Sequence, residues 1–433
     1  MKSIWQSGAE FKKFPSLLED EKTDVLIIGG GITGLLLAYE LKKQNVNYIL
    51  AEQGRVCNAV TSCTTAKITS QHGLIYNKIE KEFNLDFARQ YLNANQSAVN
   101  RYRELAEKFK CDFEDKNSYV YSVDDSDKLE KEMHTLERIG FIADYVNTVP
   151  LPINTVGAVR FEKQAQFNPL KLLSQLSKNL KIYENTMVYA IENNVALTNG
   201  GRITADNIVV ATHFPFINTH GTYFFKMYQS RSFVIGLDNG EDVNGMYVDE
   251  AEGGMSFRNY GDYLLLGGYG RRTDGSCCFD NLKKFASVNY PQSKVQFEWA
   301  TQDCMTLDGI PYIGKYSKLT HNLFVATGFN KWGMTSSMVA AKLLTDLLLN
   351  RENEFSEVFS PSRTMIRPQL LINSFEAVKN LCTISNHRCT HLGCALKWNK
   401  EEHTWDCPCH GSRFAEDGSI IENPAVKELR NSH

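Results

Sequence analysis

Apolar positions along this chain change period several times, and each change marks a different kind of element. Val25-Leu26-Ile27-Ile28 is a continuous apolar run, which suits a strand buried on both faces of a parallel sheet. It ends in Gly29-Gly30-Gly31-Ile32-Thr33-Gly34, passes into a helix carrying Leu35, Leu36, Tyr39 and Leu41, and resumes as a strand at Tyr48-Ile49-Leu50-Ala51-Glu52. The pattern is a βαβ unit. From Leu74 to Glu114 the chain is charged and helix-permissive, with apolar positions at Phe83, Phe87, Tyr91, Val99, Tyr102, Leu105 and Phe109, and reads as surface helices of a second lobe. β character returns over 180–212, with a strand at Asn207 to Ala211, and segments such as SFVIGLD and YLLLGG over 231–300 predict an antiparallel sheet. His321 to Leu349 is again strand, glycine loop and helix. Asn350 to Arg367 reads as a polar linker, a short helix follows near Gln369 to Asn380, and 381–433 form a separate terminal module.

A length of 433 residues allows two to three domains, and 42% hydrophobic with 22% charged residues is an ordinary globular balance that excludes wholesale disorder. A net charge of −3 gives no global case for nucleic acid or an anionic membrane. The longest charge-free apolar run, Val25 to Tyr39, is too short to span a bilayer, and the N-terminal residues lack the apolar core of a signal peptide, so a cytoplasmic address is expected. Cysteine departs from the average. Five of the 11 (Cys382, Cys389, Cys394, Cys407, Cys409) crowd near the C-terminus, which points to metal or redox chemistry before structural disulfides.

The spacing Gly29-x-Gly31-x-x-Gly34 provides a tight turn, close backbone approach for a pyrophosphate, and intimate helix-strand packing with the helix dipole facing the phosphates. Glu52 follows where a carboxylate can accept from an adenosine ribose. These features predict dinucleotide binding. No motif suggests a second site for a nicotinamide.

Over residues 20 to 350 the chain resembles the D-amino-acid oxidase/glycine oxidase family of FAD-dependent oxidoreductases. The likeness rests on NIVVATHFPF, on DGIPYIG (Asp308 to Gly314) and above all on FVATGFNKWGMT (Phe324 to Thr335). It implies FAD contacts at Gly29, Gly31, Ile32, Thr33 and Gly34, at Glu52 and Gln53, and at Ala211 and Thr212. Thr64 and Thr65, with Lys67, correspond to a loop entering the flavin site, with an ordinary polar loop as the alternative reading of that stretch. Gly328, Gly333, Met334 and Thr335 would lie by the flavin's pyrimidine edge, where N–H groups and a helix dipole favour negative charge. The family oxidises C–N bonds by hydride transfer, so an amine or amino-acid-like substrate is implied, and positioning matters more than acid-base residues. Arg258 falls where glycine-oxidase-like relatives place a carboxylate-binding arginine, equally readable as a surface arginine; Arg271, Arg272, His213, His72 and Tyr269 are weaker candidates.

The terminal module contains Cys389-Thr-His391 and Cys407-Pro-Cys409-His410 and resembles a Rieske [2Fe–2S] module, nearer to that of cytochrome complexes than to that of ring hydroxylases. The resemblance makes Cys389 and Cys407 ligands of one iron and His391 and His410 ligands of the other, neutral imidazoles raising the reduction potential. It also implies a Cys394–Cys409 disulfide, worth about 3 kcal/mol in the chain-entropy model, and a serine at Ser412 that bonds a bridging sulfide. Phe414 stands where high-potential relatives have tyrosine, so a lower potential is expected. A Cys₂His₂ zinc site could be made from the same donors. Cys382, His387 and His403 are expected non-ligands; Cys57, Cys63, Cys111, Cys277, Cys278 and Cys304 are expected ordinary thiols. Only Leu381 to Arg388 precede the first ligand loop, so either the body completes the module's base or the module is shortened.

The expected architecture is α/β. A discontinuous Rossmann-like FAD-binding domain (1–75, 155–215 and 305–350) joins an α+β antiparallel-sheet substrate domain (76–154 and 216–304), then a linker and short helix (351–380), then a small all-β module (381–433). The expected activity is oxidation of the substrate through FAD, with electrons passing to the cluster and on to an unidentified acceptor. A redox-sensing or assembly flavoprotein with little turnover is the alternative.

Overall fold

The computed structural model describes residues 3–273, 278–363 and 368–429. Glu21–Ile28 lies at the centre of an eight-stranded sheet, pairing in parallel with Arg202–Val210 on one side and Tyr48–Ala51 on the other, so that Ile28 faces both Val210 and Ala51. Flanked on both edges and covered on both faces, Val25 to Ile28 are all buried, which accounts for the uninterrupted apolar run. Leu323–Thr327 and Ile182–Tyr183 extend the parallel order, Tyr312–Lys315 closes one edge antiparallel, and the hairpin Val188–Glu192 and Val195–Thr198 pairs with Arg202–Val210.

Helices Ile32–Lys43 and Gly333–Leu348 pack on this sheet and against each other, joined near their N-termini by Thr33 Oγ1 and Ser337 Oγ at 2.9 Å. Leu85–Lys108 corrects the expectation of surface helices. Tyr91, Val99, Tyr102 and Leu105 recur at helical spacing and form a stripe that needs a partner; they are buried, packed towards Gly333–Leu348, and the Tyr102 hydroxyl donates to Met334 O at 2.9 Å.

The second sheet has nine strands. Its central part runs Val295–Thr306, Met227–Leu237, Tyr263–Arg272, Ser256–Tyr260, Met246–Asp249, Glu114–Ser122 and Gly157–Gln166, antiparallel except between Met246–Asp249 and Glu114–Ser122. Gly157–Gln166, expected in the first sheet's domain, belongs here because it pairs over most of its length with Glu114–Ser122.

The presumed linker is woven into the body. Val358 and Phe359 are buried in the main core, and Arg363 places Nε 3.0 Å from Asp308 Oδ2 while its Nη atoms donate to the carbonyls of Val358, Ser360, Ile310 and Pro311. Helix Pro368–Cys382 turns Asn373 and Asn380 inwards and leaves Leu371, Phe375 and Val378 exposed.

The terminal module is a sheet of four three-residue strands: Lys397–Asn399, Thr404–Asp406, Arg413–Ala415 and Ile420–Glu422. Its core consists mainly of Cys389, Cys394, Leu396, Cys407, Cys409, Phe414 and Ala425. It is clamped to the body by buried charge: Arg231 of the second sheet and Arg413 of the module share Glu402, and Arg413 also pairs with Asp406 at 2.9 Å and Glu422 at 3.2 Å. Gln302 donates from Nε2 to Gly411 O and to Glu422 Oε2, both at 2.7 Å. The body therefore braces the module through side chains, while the module's four strands pair only with one another.

Candidate functional site

A cavity of about 570 Å³ opens where the two sheets and the terminal module meet. Such a volume suits a large organic ligand. Its floor is the glycine turn: Gly29, Gly31, Ile32 and Thr33 line it. Gly29 has φ +112°, and a Cβ there would stand 2.5 Å from Ala211 O; at Gly34 a Cβ would stand 2.0 Å from Gly29 O, so helix and strand approach as closely as backbone allows. Gly34 thus shapes the turn from below rather than lining the cavity. Glu52 and Gln53 line the next wall, where the Glu52 carboxylate accepts from the N–H groups of Gly30 (2.7 Å) and Gly54 (2.8 Å). Burial raises that carboxyl's pKa, and these two N–H groups oppose the rise.

Thr64, Thr65, Ala66 and Lys67 form a third wall, Ala211 to His213 a fourth, and Asn330 to Met334 a fifth. The fifth includes the first turn of Gly333–Leu348, so a helix N-terminus faces the cavity with its partial positive charge. Gly328 and Thr335 lie behind it. Gly328, at φ +72°, packs against Thr306, and the Thr335 hydroxyl donates to Thr69 O at 3.0 Å. Ile421, Glu422, Asn423 and Val426 of the terminal module close the remaining side. Asn423 is held there by donating from Nδ2 to the carbonyls of Thr212 and Phe214, the latter at 2.7 Å.

In the module, the rings of His391 and His410 stand 5.1 Å apart at 88°. Each is held by its Nε2: His410 at 3.0 Å from Phe224 O, His391 at 2.9 Å from Asn218 Oδ1. A carbonyl oxygen only accepts, so His410 Nε2 carries the proton, and the same polarity holds at Asn218 Oδ1. Both Nδ1 atoms are buried without a partner among the described residues. Burial, followed by the charge of His410, takes His391 down to about 3, and burial takes His410 down to about 4, so both rings are neutral. Two neutral imidazoles with free Nδ1 lone pairs, beside the adjacent thiols of Cys389 and Cys407, are the donor set a mixed His/Cys centre needs. The sulfurs of Cys394, Cys407 and Cys409 all lie within 4.8 Å of one another, and Cys394 and Cys409 stand as neighbouring thiols. Ser412 contacts Cys389 and its Oγ accepts from Ala425 N at 3.0 Å; Phe414 is buried.

Comparison with known proteins divides the chain into the same two parts. Residues 24–347 match the FAD dependent oxidoreductase family and 352–433 the Rieske [2Fe-2S] domain. The chain belongs to the FAD dependent oxidoreductase family. It is 33% identical to YhfW of Bacillus subtilis (strain 168), described as a Rieske 2Fe-2S iron-sulfur protein, over 99% of this chain and 97% of the relative. It is similar to the cytochrome b6-f complex iron-sulfur subunit of Nostoc punctiforme, 41% identical over 64 residues that make up 15% of this chain and 35% of that one. Glycine oxidase from Geobacillus kaustophilus shares the body's fold, with a TM-score of 0.66 and 21% identity over 79% of this chain and 99% of that one.

This FAD dependent oxidoreductase thus binds FAD through its body and a [2Fe–2S] cluster through its Rieske domain. The expected substrate arginine is a correction. Arg258 is fully buried and does not line the cavity: its strand carries it beneath the 64–66 loop, where Nη1 donates to Thr65 O (2.7 Å) and Ala66 O (2.8 Å) and the guanidinium lies 5.3 Å from the Trp5 ring. It positions the loop whose Lys67 faces the cavity. Arg272 donates to Asn373 Oδ1 at 3.0 Å, and neither Arg271 nor Tyr269 lines the cavity. His72 is stacked on Trp332 at 5.0 Å and bonded to Tyr91 and Thr335, a packing role. His213 does line the cavity.

His387 stacks on Trp405 at 3.9 Å, outside the donor set, and His403 is exposed. Cys57, Cys63, Cys111, Cys304 and Cys382 are free thiols, Cys278 is buried, and Cys277 lies outside the described residues. The residues that sequence reasoning missed are Asn218 and Phe224, which cap the histidines, Glu422 and Asn423, which wall the cavity, and Asp303, which faces into it. Asp303 alone had a local signal, standing five residues before Asp308 in the DGIPYIG segment. Among the described residues no helix is long and apolar enough to cross a membrane.

Proposed function

We propose that the protein oxidises an amine or amino-acid-like substrate at a C–N bond and passes the electrons, through its Rieske centre, to an acceptor outside the chain. FAD, when bound, takes the hydride and the [2Fe–2S] cluster takes electrons singly. The observation that carries the reading is the seating of the module: Glu422 and Asn423 are part of the cavity wall, and the Phe214 ring, beside the wall residue His213, lies 6.4 Å from the His391 ring and 5.8 Å from the His410 ring. Asn423 holds that segment at both ends.

The protein's own groups do the positioning. The N-terminus of Gly333–Leu348 favours negative charge on a ligand at its end. Burial, then the charge of Arg258, brings Lys67 down to about 7, so its Nζ can accept a proton from a substrate ammonium. The Cys394–Cys409 pair would close into a disulfide that ties the two ligand loops together.

Anaerobic stopped-flow mixing with a panel of amines tests the reading. The flavin bands bleach first and the cluster's visible absorption follows; a flavin that is reduced while the cluster stays oxidised overturns the coupling.

A further inference from the structure

Five successive carbonyls of the loop beside the cavity accept hydrogen bonds from side chains that arrive from elsewhere. Ser3 Oγ donates to Ser62 O, Trp299 Nε1 to Cys63 O at 2.9 Å, Trp5 Nε1 to Thr64 O at 2.7 Å, and Arg258 Nη1 to both Thr65 O and Ala66 O. The donors stand on or beside the helical turn Ile4–Gln6 and on the strands Ser256–Tyr260 and Val295–Thr306 of the second sheet. All four are buried and none lines the cavity, so they lie behind the loop. They brace one another as well: the Trp5 ring meets Tyr260 edge-on at 4.7 Å, with the Arg258 guanidinium 5.3 Å from it. Ala66 is held at φ +53°, a left-handed conformation that a residue with a side chain keeps only where its surroundings impose it. Further back, Thr61 Oγ1 accepts from Ile32 N at 3.0 Å and ties the loop to the glycine turn.

A trans peptide is planar, with its N–H opposite its C=O. The Cys63 and Thr64 carbonyls point back to the two indoles, so the N–H groups of Thr64 and Thr65 point forward, to the cavity that both residues line. Among the described residues neither N–H has a hydrogen-bond partner. An indole N–H only donates, so it fixes the direction of the peptide it binds, and a bond at the carbonyl strengthens the donor at the other end. We propose that Trp5 and Trp299 are positioning residues of the flavin site: they hold the Thr64 and Thr65 N–H groups as a pair of donors to the bound flavin ring and make that ring a better electron acceptor. Donors fixed in place beforehand need no reorganisation when negative charge arrives, so two of them favour the reduced ring. The assignment is independent of which substrate reduces the flavin.

Sulfite titration of the FAD-loaded full chain, read from flavin absorbance, tests this without turnover, because sulfite adds reversibly to an electron-poor flavin. Trp5→Phe and Trp299→Phe each keep an aromatic ring and remove the N–H. Each should weaken sulfite binding by about fivefold, the effect of one ordinary hydrogen bond, and lower the flavin's reduction potential in dye-equilibration titrations. A purely structural role would instead reduce FAD content or stability and leave the properties of the remaining bound flavin unchanged. Benzothienylalanine in place of Trp5, which has the indole's shape and no N–H, should reproduce the Trp5→Phe shift and decides the question if the phenylalanine variant does not fold. A wild-type flavin that takes no sulfite, FAD-loaded variants with wild-type sulfite affinity and potential, or a Trp5→Phe shift that benzothienylalanine does not share would each overturn the proposal.

Discussion

The flavoprotein body and the terminal module solve the same problem, placing a cofactor, with opposite resources. The body buries a parallel sheet on both faces, and its glycine turn is fixed by backbone packed on backbone, as Gly29 and Gly34 show. The module has four strands of three residues and a core that is largely cysteine. It borrows what it lacks: Asn218 and Phe224 orient its histidines, and Arg231 helps to neutralise its Glu402. A cofactor site can therefore be self-supporting where the fold is large, and must be held from outside where it is small.

Removing a ligand breaks the comparison most severely. Cys407→Ala is expected to abolish the [2Fe–2S] EPR signal and bound iron, and hydrogen exchange should show protection lost over 389–425 while FAD stays bound. Gly34→Ala is the reciprocal case. Its Cβ would collide with Gly29 O, so bound FAD, read from absorbance, should fall more than tenfold while the cluster's EPR signal persists. Loss of both centres from either variant would show that neither region stands apart.

Glu402→Ala sharpens the comparison. It leaves Arg231 and Arg413 facing each other at a buried junction, which should lower stability by about 3–5 kcal/mol in denaturant unfolding. An unchanged midpoint would show that the clamp contributes nothing. The smallest effect is expected at Phe414→Tyr, which adds a hydroxyl beside the ligand loops: voltammetry should find the cluster potential raised by some tens of millivolts, about 59 mV for each tenfold change in a one-electron equilibrium. A fall would place the new hydroxyl away from the sulfurs.

What was legible in the sequence follows the range of the interactions concerned. The βαβ turn is local, since strand, glycines and helix lie within 21–43, and the two Cys/His motifs carry their ligand types in a few adjacent positions. Arg258 was misplaced because its destination depends on how a strand of the second sheet passes beneath a loop 192 residues away. The caps on His391 and His410 join residues 173 and 186 apart, and Asn423 reaches back 211 to Thr212. Such contacts are set by sheet register and docking, which no local pattern encodes. The 74–114 helices failed differently: their apolar stripe was visible, but the surface that covers it comes from 333–348.

The cavity wall that begins at Ile28 and ends at Val426 also has a meaning in time. At about 5–20 residues per second, a ribosome delivers the last of these segments some 20–80 s after the first. Throughout that interval the nascent cavity lacks its far side, which closes only when 421–426 have been added. The strand Ile420–Glu422 works as a stopper that arrives long after the rest of the wall, and without it the cavity would be left as an open vessel.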